Sequence, residues 1–116
     1  KVKIFITFIK SLKQNNYEVI LVSSGAVAAG YTVLQLDKNI ISNKQALASI
    51  GQPLLLDRYI KKFMQHNILS SQVLLEASIF NDKVRLQHAK DAINTLLNNN
   101  VVPIINENDV TAIDEL

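Results

Sequence analysis

The sequence predicts an α/β fold built on a mainly parallel sheet. Three observations carry this. Short, nearly continuous apolar runs (Tyr17 to Val22, and Val101 to Ile105) read as strands buried on both faces. Segments with helical apolar spacing separate these runs. Strands that alternate with helices favour a parallel sheet with right-handed crossovers.

The elements follow in order. Ile4, Phe5, Phe8, Ile9 and Leu12 recur at helical spacing, and Asn15-Asn16 ends that helix, because Asn tolerates the left-handed conformation. Tyr17 to Val22 is the first strand. A glycine turn and a small-residue helix, roughly Gly25 to Leu34, come next, and Leu36 to Ile41 is a loop. Ser42 followed by Gln45 has the form of a capping box, so a long helix should begin there and run to about Gln65. Gly51 and Pro53 interrupt it, and a kink or break is expected near Gln52. Gln72 to Leu75 is a second strand. Ser78 to Asp82 turns into a further helix, with Val84, Leu86, Ala89, Ile93, Leu96 and Leu97 facing inward. Asn98-Asn99-Asn100 stops that helix before the third strand, Val101 to Ile105.

Composition narrows the function. A chain of 116 residues, 48% hydrophobic, has enough apolar mass for one domain or a large piece of one. The formal net charge of +2, with no basic stripe and few aromatics, argues against nucleic-acid binding. With no cysteine there is neither a disulfide nor a thiolate metal site, which suits a reducing cytoplasm. No apolar run reaches membrane-spanning length, and no signal-peptide pattern opens the chain. The start at Lys1 without Met, and the end at Asp114-Glu115-Leu116 without a closing element, lead us to expect a piece of a longer protein.

Parallel sheets bind ligands beyond the carboxyl ends of their strands. Two of those ends carry polar residues. After the first strand stands Ser23-Ser24-Gly25-Ala26. A glycine there permits a sharp turn and close approach, and free amides at a helix start favour a carboxylate or a phosphate. The plainer reading has Ser24 as a helix cap and Gly25 serving packing. The stretch is neither a full dinucleotide fingerprint nor a P-loop with its lysine. After the third strand stands Asn106-Glu107-Asn108-Asp109, which offers a substrate ammonium or a metal its carboxylates and amides; the plainer reading is an Asx turn. His66 and His88 read as surface residues, Lys61-Lys62 as a solvated face and Asp57-Arg58 as a surface pair. The face formed by Ala46, Leu47, Ile50, Leu54 and Leu55 reads as core or subunit contact.

Three stretches, "VILVSSGAVAAG", "SNKQALASIGQ" and "LLNNNVVPIINEND", occur in this order from Val19 to Asp109. In these, and from about Val2 to Leu116, the chain resembles the amino-acid-binding part of the amino acid kinase family, in its glutamate-phosphorylating members. The resemblance implies a three-layer αβα sandwich with a mainly parallel sheet. It implies transfer of the γ-phosphoryl group of ATP to the side-chain carboxylate of L-glutamate, the first step of proline biosynthesis, with Mg²⁺ required. Ser24, in the loop carried by Gly25, matches the family serine that contacts glutamate. Asp109 matches the aspartate that holds the substrate's amino group. Asn106 sits at a position tied to glutamate and to feedback inhibition by proline. The family assembles as dimers or tetramers, and the helix from Ser42 is placed to contribute. Residues 1–116 thus correspond to a partial kinase domain. The family's first strand with its lysine and phosphate loop, its "GDND"-type loop and its nucleotide-binding half have no counterpart here. ATP and Mg²⁺ would be bound mainly by those other parts, no catalytic residue is assigned to this stretch, and the stretch alone is expected to be inactive. The "NEND" loop favours a free ammonium over the acylated amine of an acetylglutamate-phosphorylating relative. A non-catalytic amino-acid-sensing domain is the alternative of another class.

Overall fold

Every strand among the described residues is reached through an asparagine in the left-handed conformation. A computed structural model describes residues 2–106, with side chains from Phe8 onward apart from Ala77. Helix α1 (Val2–Gln14) leads to Asn16 (φ 67°), α3 (Ile41–Gln65) to Asn67 (φ 59°), and α4 (Lys83–Asn98) to Asn100 (φ 60°). The first two exits close as Schellman motifs. The Tyr17 amide donates to the Leu12 carbonyl (3.1 Å) and that of Ile68 to the Phe63 carbonyl (2.9 Å). This is the positive-φ ending that Asn adopts more readily than other non-glycine residues.

The strands are β1 (Leu21–Ser23), β2 (Leu69–Leu74) and β3 (Val101–Asn106). They form a parallel sheet in the order β1-β3-β2, with β3 in the centre. Helix α2 (Ala26–Tyr31) follows β1, and a 3₁₀ turn, Ala77–Asn81, precedes α4. One face of the sheet holds the core: Leu21, Val102 and Ile104 pack with Ile68, with Phe63 of α3 and with Ile9 of α1. Phe63 has no exposed surface, and burying a side chain of this size contributes roughly 1.5–3 kcal/mol. Val101 and Pro103 alternate onto the other face, where α4 packs against β3. The fold is therefore α/β and layered, as the alternation of elements predicts.

Several local expectations are corrected. The first strand is laddered only over Leu21–Ser23; the run from Tyr17 is apolar partly because Val19 packs on the core, not because it is paired. The second strand begins earlier, at Leu69. The small-residue helix ends at Tyr31. The capping box is not formed, because helical backbone already begins at Ile41, with Ile40 extended before it and no side-chain cap. Asp37 organises the approach instead, its carboxylate accepting from the Asn39 amide and its carbonyl from the Asn43 carboxamide. Helix α3 passes Pro53 without a break. An interior proline costs about 3 kcal/mol, and packing at both ends of α3 offsets it. Val84 is exposed rather than inward, while Leu86, Ala89, Ile93, Leu96 and Leu97 are half-buried. Asp82 caps α4, its Oδ1 accepting from the Val84 and Arg85 amides at 3.1 Å each.

Helices α2 and α3 touch backbone to backbone. A Cβ at Gly51 would overlap the Ala26 carbonyl oxygen, and one at Gly30 would overlap the Leu47 carbonyl. Leu47 and Ala48, beside this crossing, are fully buried. Gly51→Ala should therefore force the helices apart and destabilise the protein by about 1–3 kcal/mol, the range for overpacking. An unchanged denaturant midpoint would refute the close crossing.

Candidate functional site

The first polar stretch singled out in the sequence, and Asn106 at the head of the second, lie at the carboxyl edge of the sheet. The parallel register pairs Ser23 of β1 with Asn106 of β3, and Asn106 with Leu74 of β2. Ser23 and Asn106 are buried, at 4% and 6% exposure. Register partners in adjacent strands share a face, so the hydroxyl and the carboxamide stand side by side. Asn106 thus begins the second stretch from inside the sheet; Glu107, Asn108 and Asp109 lie outside the described residues.

The chain leaves β1 through Ser24 and Gly25, both exposed. Gly25 has φ 108° and ψ 13°, a left-handed conformation that L side chains rarely adopt. It stands at the cap position of α2, and no side chain caps that helix. The plain capping role for Ser24 is therefore not realised. The first amides of α2 have no partner within the helix by helix geometry, although its carbonyl bonds begin normally, with the Ala29 amide donating to the Gly25 carbonyl at 3.0 Å. Only six residues long, α2 adds a smaller dipole than the sequence argument supposed. What remains is an exposed Ser24–Gly25 turn, with Ala26 buried behind it, next to a buried Ser–Asn pair.

These features give the edge a donor-rich character suited to a carboxylate. The two serines do different jobs, which the sequence reading had not separated: Ser24 faces outward and Ser23 inward. The signal was parity, since Ser23 lies two residues after the core residue Leu21 in a strand. Other candidates lie away from this edge. Asp57 pairs with Lys61 (2.9 Å), not with Arg58, and both partners are largely exposed, so the pair contributes little. His88 is exposed and His66, just past α3, is half-buried. Among the described residues no three His, Cys, Asp or Glu side chains are grouped to hold a metal ion.

The profile described as "Amino acid kinase family" matches residues 1–116. The chain belongs to the amino acid kinase family. Among its curated relatives, a protein named "Glutamate 5-kinase" from Leishmania donovani is 52% identical over 103 residues, covering 89% of this chain and 39% of the relative. One of the same name from Wolinella succinogenes is 52% identical, covering 94% of this chain and 42% of the relative. Another from Helicobacter hepaticus is 48% identical across all of this chain and 44% of the relative. The chain thus spans about two fifths of the length of these amino acid kinases.

The Gly25 turn yields a direct test. Nothing lies within 4 Å of a Cβ built there, so any penalty comes from the backbone alone. Gly25→Ala should lower stability by about 1–2 kcal/mol, and Gly25→Asn by less, because Asn enters the left-handed region more readily. Equal denaturant midpoints for wild type and Gly25→Ala would show that the turn does not need glycine.

Proposed function

We propose that this chain is the glutamate-binding part of a kinase. In the whole protein, the γ-carboxylate of L-glutamate attacks the γ-phosphorus of ATP. A P–O bond to the carboxylate forms, the bond to ADP breaks, and γ-glutamyl phosphate is released as the first intermediate of proline biosynthesis. The observation that carries this reading is the convergence of the Ser24–Gly25 turn and Asn106 at one edge of the sheet. The names of the relatives support it.

Glutamate brings two carboxylates and an ammonium. Ser24 and the amides after Gly25 suit a carboxylate. Asn106 offers a carboxamide beside them. Asp109, three residues further along, suits the ammonium as a charge-assisted partner. Phosphoryl transfer depends on positioning and charge neutralisation more than on covalent help from the protein, and this part contributes positioning of the acceptor. ATP and Mg²⁺ belong to the proposed reaction, and the rest of the kinase domain, with the first strand and the nucleotide-binding half, would hold them. The described residues do not fit a metal site, so no step of this reading passes through one here. We place the enzyme in the cytoplasm, as a dimer or tetramer sensitive to proline. No described helix is long and apolar enough to cross a membrane.

The test uses the full-length protein with ATP, Mg²⁺ and hydroxylamine, and with glutamate, acetylglutamate or aspartate in turn. Trapped hydroxamate is expected with glutamate alone. Signal only with another acceptor would move the substrate, and no signal from folded protein would favour an amino-acid-sensing domain. Ser24→Ala and Asp109→Ala should each weaken apparent glutamate affinity roughly 10- to 150-fold, the loss of one hydrogen bond to a charged group. Wild-type KM values in both variants would remove these residues from the site.

A further inference from the structure

The described residues contain two buried hydroxyls without a hydrogen-bond partner, those of Ser23 and Ser70. An unpartnered buried polar group is unfavourable, and each one calls for a reason. The two differ in what stands beside them. Ser70, near the start of the edge strand β2, is in register with Val102, whose side chain offers no hydrogen bond. Ser23 is in register with Asn106 at the carboxyl edge, and both are more than nine-tenths buried. Adjacent strands lie about 4.8 Å apart, a gap that a serine hydroxyl and an asparagine carboxamide close by side-chain rotation. Leu74, the neighbour of Asn106 on its other side, has nothing to offer a polar group.

We infer that Ser23 is a positioning residue, whose hydroxyl, unpartnered in this structure, rotates to donate to Oδ1 of its register partner Asn106 and leaves the Nδ2 donors turned toward the substrate. This rests on the glutamate-binding reading above, and adds to it a buried residue that never meets the substrate itself. Without the hydroxyl, the carboxamide of Asn106 has two near-equivalent orientations, one of which presents an acceptor to an incoming carboxylate. Serine at this strand position thereby selects the amide orientation that suits an anionic ligand.

Two measurements on the full-length protein test this, and neither depends on the other. The first is the ¹⁵N–¹H spectrum, with the Asn106 side-chain amide pair assigned by its loss in Asn106→Ala. Ser23→Ala should shift that pair, Ser23→Thr should keep it near its wild-type place, and Ser70→Ala should leave it unmoved. An unmoved pair in Ser23→Ala overturns the inference whatever the kinetics give. The second is steady-state kinetics with glutamate. Ser23→Ala should raise KM about fivefold or more with kcat within twofold, Ser23→Thr should restore it, and Ser70→Ala should change neither. In an Asn106→Ala background, Ser23→Ala should have no further effect on KM; an equal further rise would show that Ser23 acts without Asn106, and the inference falls. If wild type shows no glutamate-dependent turnover, the substrate reading fails, and the spectrum still decides the Ser–Asn contact.

Discussion

The approach of α2 to α3 without side chains between them is the constraint on which the site depends. Gly30 and Gly51 remove the Cβ atoms that would hold the two backbones apart. Helix α3 then works at both ends: its first half grips α2, and its second half, through Phe63, is locked into the sheet core. Over 25 residues it spans about 37 Å. The turn at Gly25 is thereby fixed relative to the sheet edge where Asn106 ends β3. Neither α2, at six residues, nor β1, at three, would hold that geometry unaided.

Much of this was legible in the sequence because it rests on local chemistry. Asn at helix exits and the alternation of apolar runs with helical spacing both act within a few residues. The central strand β3 stood out because it is buried on both faces and so reads as continuously apolar. The misses have one cause in common. The capping box, the break at Pro53 and the full-length first strand are local preferences that tertiary packing overrode. Ser42 lies inside a helix whose start is set by the Asp37 turn, and the apolar run before Leu21 records contact with the core rather than pairing.

The candidate site was half legible. Its location followed from a rule about strand ends, and Ser24, Gly25 and Asn106 all stand where that rule puts them. The inward hydroxyl of Ser23 was hidden because two adjacent serines look alike in a string of letters. Register made the difference: pairing Ser23 with Asn106 is a relation between residues 83 positions apart in the chain, and no local pattern encodes it.

The three left-handed asparagines carry a consequence for the unfolded chain. Glycine would fit each joint with less strain, since it enters positive φ freely. It would also give the denatured ensemble more freedom at three places, and that freedom is lost on folding. Asparagine reverses the balance: it holds some strain in the native joint and restricts the disordered chain. The two effects are of similar size, roughly 0.5–1 kcal/mol each. These helix exits are therefore places where the chain can trade native comfort against denatured disorder at nearly constant stability.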